Sequence, residues 1–172
     1  MQVSQVGRFA WALLAALPGL PQAAQCPPQP ATCEISAPLF TFGRQEMTST
    51  SPPILTQGSV SVTCTKNIKP GFEVNVDIDL SGIPPRLPRL LRSGQSDQLN
   101  YNLFLEPART IAWGDGSNGT QPITSSMQLK GNDRVLTQTY SLYGRVEGGQ
   151  QGEVGRYIDA IAARLRYTLK CK

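Results

Sequence analysis

The chain has 172 residues, a formal net charge of +4 at pH 7, 16% charged residues and no histidine. That length suits one domain, and so mild a positive balance, with no basic face interleaved with aromatics, gives no basis for nucleic-acid binding. Without an imidazole, Ser-His-Asp and Cys-His catalysis and most zinc sites are excluded.

The first predicted element is a leader. Residues 1–24 place Arg8 before an apolar stretch over 9–17, then a Pro/Gly segment ending in Ala23 and Ala24. This is the order of a secretory signal peptide, and its apolar run is too short to cross a bilayer. No other segment reads as a membrane span, so residues 25–172 are expected to be exported, with a net charge of +3 once Arg8 is gone. Cys26, Cys33, Cys64 and Cys171 all lie beyond the leader. An even count in an exported chain predicts two disulfides, in any of three pairings. Neither a metal nor a cofactor is implied, since no C-x-x-C pair accompanies the missing histidines.

Beyond the leader the apolar period is two. Val60, Val62 and Cys64 alternate with Ser59, Ser61, Thr63 and Thr65; Phe72, Val74, Val76, Ile78 and Leu80 alternate with Glu73, Asn75, Asp77 and Asp79. Leu99, Tyr101, Leu103 and Leu105 stand against Asn100, Asn102 and Glu106, and Leu136, Tyr140 and Leu142 against Thr137, Thr139 and Ser141. The last run sets Ile161, Ala163, Leu165, Tyr167, Leu169 and Cys171 against Ala162, Arg164, Arg166, Thr168 and Lys170. Each run predicts a strand with one buried and one wet face. The Ala-rich residues 158–165 mimic a helix, but the unbroken alternation to the C-terminus favours a strand. Such strands, separated by Gly, Pro, Ser and Asn clusters, predict an all-β antiparallel sandwich.

Loops are expected at 48–53, at the proline-rich 82–94 (GIPPRLPRLLRSG), at 114–119 (GDGSNG) and at 147–155. Glu106 and Asp115 are the acids nearest to a glycosidase pair, and solvated turn acids are the simpler reading of both. The GDG turn offers too few oxygen ligands for calcium.

Four motifs in order add to this. They are a cysteine-bearing stretch over 33–37 (CEISA), GSVSVTCT over 58–65, YNLFLEPARTIAWGDG over 101–116, and Tyr143-Gly144-Arg145 followed by Gly149-Gln150 and Gly155-Arg156-Tyr157. Their order and spacing over 33–172 resemble the spore coat protein U domain, a pilin-like module that also builds the archaic class of chaperone/usher pili. The signature positions are Tyr101, Asn102, Leu103, Ala108, Arg109, Thr110, Trp113, Gly114, Asp115, Gly116, Tyr143, Gly144 and Arg145.

The resemblance implies an immunoglobulin-like, pilin-type sandwich that lacks a strand and is completed by a donor strand from another chain. The residues expected to edge the acceptor groove are Ile161, Leu165, Tyr167 and Leu169. It also implies a Cys33–Cys64 disulfide on the first two strands, which leaves Cys26 with Cys171. The implied partners are a periplasmic pilus chaperone, an outer-membrane usher and a neighbouring pilin subunit, and the implied location is the cell surface.

One stretch departs from the fibre-forming pattern. Residues 25–32, QCPPQPAT, carry three prolines and no large apolar side chain, so they are unsuited to act as a donor strand. The expectation is a subunit that accepts a strand without giving one, at the tip of a fibre. The candidate contact loop is then Ile83, Arg86, Leu87, Arg89, Leu90, Leu91 and Arg92, whose leucines could instead fold over the sandwich end. The alternative is a self-sufficient secreted spore-coat or matrix protein. A carbohydrate-binding or hydrolytic module trails both, for want of an aromatic platform.

Overall fold

The computed structural model describes residues 30–37, 40–81, 89–93 and 97–171, and among these there is no helix. Nine strands follow in order: β1 Ala31–Ser36, β2 Ile54–Lys66, β3 Phe72–Ser81, β4 Arg89–Ser93, β5 Asp97–Phe104, β6 Ile123–Leu129, β7 Val135–Val146, β8 Tyr157–Ile158 and β9 Ala162–Cys171. They form two layers, a six-stranded sheet β1-β2-β7-β5-β4-β8 and a three-stranded sheet β6-β3-β9. Every strand pair is antiparallel.

The alternation read from the sequence places the core. Val60, Val62, Cys64, Leu99, Tyr101, Leu103, Leu142 and Val146 come from the large sheet and meet Val74, Val76, Ile78, Leu80, Ile123, Met127 and Leu129 of the small one. At roughly 1.5 to 3 kcal/mol for each large side chain removed from water, this shared face drives the two layers together.

The structure corrects several sequence expectations, three of them here. Asp79, expected on the wet face of β3, is fully buried. Arg164 bonds its Oδ1 through Nε at 3.2 Å and its Oδ2 through a terminal nitrogen at 2.9 Å. Arg166 reaches Oδ2 at 2.7 Å and also bonds Asp77 at 2.8 Å. The parity reading was right about direction, but the two guanidiniums on β9 lie over the carboxylate, and the paired charges offset the cost of burying it. Hydrogen bonding to Asp79 raises the Arg164 pKa further above its ordinary value.

The run expected to be unbroken from 158 to 171 is the second correction. It divides into β8, which joins β4 in the large sheet, and β9, which joins β3 in the small one. Residues 159–161 carry the chain between layers. Third, residues 89–93 of the expected loop form β4, paired to β5 and β8.

Between β1 and β2 the chain packs inward. Phe40 and Phe42 meet edge to face with centroids 6.0 Å apart, and Phe42 meets Tyr101 in the same way at 5.9 Å. Two glycines make room for them. A Cβ on Gly58 would clash with the edge of the Phe40 ring, and one on Gly144 would lie 2.5 Å from Phe40 and 2.9 Å from Phe42. Gly58→Ala is therefore expected to cost about 1 to 3 kcal/mol by overpacking. Phe40→Leu should recover part of that loss in the double variant, as a urea-melt double-mutant cycle would read; strictly additive losses would count against the ring contact.

The opposite end is closed by a buried lysine that sequence reading did not single out. The Lys66 ammonium donates to the carbonyls of Pro70 at 2.8 Å, Lys130 at 2.6 Å and Gly131 at 3.1 Å. It thereby ties the β2–β3 turn to the β6–β7 turn, with its charge 5.8 Å from the Phe72 ring centroid.

Candidate functional site

The signature residues build a scaffold. After β5 the chain crosses to the small sheet through residues 105–122, and Glu106 closes the first turn. Its Oε1 accepts from the Thr110 amide, from the Thr110 hydroxyl at 2.7 Å and from the Ile111 amide at 2.9 Å. Desolvation pushes the Glu106 carboxyl up, but the Thr110 and Ile111 hydrogen bonds outweigh it and hold the carboxyl below its ordinary range. Asp115 is engaged in a similar way: its Oδ1 accepts from the Ser117 amide at 2.9 Å, and this hydrogen bond lowers its pKa. Both acids of the weighed glycosidase pair therefore serve local backbone turns.

Arg109 has a φ of 56° and points its guanidinium back over β7. It donates to the carbonyls of Gly144 at 3.2 Å and Pro107 at 2.8 Å, and its charge lies 5.7 Å from the Tyr143 ring centroid. Arg145 caps Phe104 at 5.1 Å and pairs with Glu147 at 2.9 Å. The ART and YGR motifs are thus two halves of one contact. Leu103 lies buried on β5 between them, and so does Asn102, which the alternation places on the wet face and which the structure corrects to a buried position, while Ala108 and Thr110 are exposed on the turn.

Trp113 is the latch between layers. Its side chain is buried, and Nε1 donates to the Ile78 carbonyl at 3.0 Å. The neighbouring Gly114 is hemmed in by the buried Thr120, whose side chain occupies the space a Cβ would need, and Gly116 takes a φ of 93° at the turn itself. Gln150 acts as a substitute peptide unit on the edge of β5. It accepts from the Asn100 amide at 2.7 Å and donates to the Asn100 carbonyl at 3.0 Å.

With the signature absorbed by architecture, the feature that remains is the sheet edges: among the described residues β1 and β8 end the large sheet and β6 and β9 the small one, and β1 and β9 lie together. Among the described residues β9 pairs only with β3, and β1 only with β2. These two edges belong to opposite layers on the same side of the sandwich and approach each other there. The inward row of β9, Ala163, Leu165, Tyr167 and Leu169, packs against the core yet is only half-buried. The inward row of its neighbour β3 is fully buried. Residues of the same parity on adjacent strands differ because nothing described covers the outer flank of β9. Ile161 precedes β9 and is exposed.

Cysteine chemistry fixes the other wall. Cys33 and Cys64 stand directly opposite on β1 and β2 and form a disulfide. Cys171, at the end of β9, is disulfide-bonded as well; Cys26, the partner the resemblance assigns to it, lies outside the described residues. Ile83, Arg86 and Leu87 of the candidate contact loop also lie outside them, and Arg89, Leu90, Leu91 and Arg92 fall in β4. No cluster of three metal-ligating side chains occurs among the described residues, and no helix among them is long and apolar enough to cross a membrane.

A two-layer antiparallel sandwich whose sequence motifs serve its scaffold defines an all-β module of two facing sheets. The Spore Coat Protein U domain profile matches residues 22–164, and the chain belongs to that family. No curated protein matches it. Among solved structures it is similar to a chain in the chaperone–tip adhesion subunit pre-assembly complex of the archaic chaperone-usher Csu pili of Acinetobacter baumannii. The identity is 17% and the TM-score 0.47, with 78% of this chain and 39% of that chain covered. This chain thus spans about two fifths of the length of that neighbour.

Proposed function

We propose that this protein is a non-enzymatic structural or adhesive subunit of a chaperone/usher surface pilus, assembled by accepting a donor strand along β9. The observation that carries the reading is the half-buried inward row Ala163, Leu165, Tyr167 and Leu169 on an edge strand whose neighbour is fully buried. Unpaired edge amides beside exposed apolar side chains are unfavourable in water, and an added strand removes both costs at once. A periplasmic chaperone supplies that strand first, the usher passes the subunit on, and a neighbouring subunit replaces it at the cell surface. The prolines at 27, 28 and 30 make the stretch before β1 a poor donor, which favours a position at the fibre tip.

The test is export of the full chain into a periplasm with no companion protein, with and without an alternating apolar peptide of about ten residues, long enough to pair with β9. The expected result is aggregation or degradation alone and a soluble, cooperatively unfolding monomer with the peptide. A stable monomer indifferent to peptide would reject the fibre role and favour the self-sufficient coat protein.

A further inference from the structure

We infer that the strand accepted at the β9 edge carries a neutral hydrogen-bonding side chain, such as asparagine or serine, facing Tyr167 within an otherwise apolar inward row. The inference rests on the reading of β9 as an acceptor edge and specifies what that edge selects.

Tyr167 is the polar member of the inward row, between Leu165 and Leu169. Two tyrosines of the fold have their hydroxyls engaged, Tyr101 with Asp159 Oδ2 at 2.8 Å and Tyr157 with the Glu153 carbonyl at 3.1 Å, whereas the Tyr140 hydroxyl is buried without a partner among the described residues. The Tyr167 hydroxyl has no such bond among the described residues and is not among the buried orphaned atoms, so it is open to solvent. A strand pairing along the outer flank of β9 would bring side chains to about 5 Å, Cβ to Cβ, from the inward row and close it off from solvent. A buried phenol ordinarily finds a partner, and leaving it without one opposes binding. The charged groups flanking the row, Arg164 and Arg166, already pair with Asp79 and Asp77 on the outward face. They therefore do not serve a group arriving on the inward side. An incoming side chain that accepts from the phenol without carrying charge into the core fits both conditions.

The experiment uses the full exported chain and a set of alternating Val/Ser peptides in which asparagine replaces each inward valine in turn, binding being read by fluorescence anisotropy. The expected result is one position at which asparagine binds as well as valine or better, while at every other position it weakens binding about ten-fold or more. In Tyr167→Phe the same position should become as intolerant as the rest, by about ten-fold. If the all-valine peptide binds but no position tolerates asparagine, or the tolerant position persists unchanged in Tyr167→Phe, the inference is wrong while the acceptor edge stands. If no peptide binds, the all-valine one included, the acceptor edge itself is wrong and the inference falls with it.

Discussion

Trp113→Ala is expected to lower the stability of the folded chain by roughly 4 kcal/mol, at the upper end for a single core substitution. The indole is buried between the layers and its N–H satisfies the Ile78 carbonyl at 3.0 Å, so truncation opens a cavity and orphans a buried acceptor together. Against a total of about 5 to 15 kcal/mol this is a large share, and a fall in Tm of roughly 10 °C follows for a domain of this size. Trp113→Phe, which keeps most of the volume but not the donor, should cost about 1 to 2 kcal/mol. Urea denaturation followed by far-UV circular dichroism measures both. Equal losses in the two variants would mean that the hydrogen bond, and not the packing, dominates.

Removing the Cys33–Cys64 bridge as Cys33→Ala/Cys64→Ala is expected to cost a similar amount, roughly 3 to 4 kcal/mol, because the bridge closes a loop with a sequence separation of 31. The effect should also be local. β1 has six residues and among the described residues pairs with β2 only, so without the bridge it is the element most ready to fray. Hydrogen exchange should then show residues 31–36 losing protection well before β3. Under the proposed acceptor role of β9, which β1 approaches on the same side of the sandwich, a chain with a frayed β1 should take up donor peptide more weakly. Protection of β1 unchanged in the variant would show that the β2 ladder alone holds that strand.

The alternating runs at 72–80 and 58–65 were legible because a strand with one wet face writes its period of two directly into the residues. β4 was not. RLLRS has no alternation and follows a proline-rich stretch, and it is a strand only because β5 and β8 lie on either side of it. The Ala-rich stretch after 158 was rightly read as non-helical, but the break at 159–161 left no mark on the apolar pattern, since changing layers alters a strand's partners and not its alternation.

The candidate site divides in the same way. Its motifs were visible as motifs, while their reasons were tertiary. Gly144 is a glycine because Phe40 and Phe42, far away in sequence, lie against it, and Asp79 is buried because Arg164, 85 residues later, lies over it. Lys66 gave no signal at all, since its partners are main-chain carbonyls that any residue carries.

By itself the sequence determined which faces are apolar, that the described residues are built of half-wet strands, and which family its motifs belong to, all of which depend on residues near one another in the chain. Only the tertiary structure decided which strands share a layer and which edges remain unpaired. A backbone N–H or C=O has the same chemistry at every position, so whether it finds a partner is settled by which distant segment comes to lie beside it.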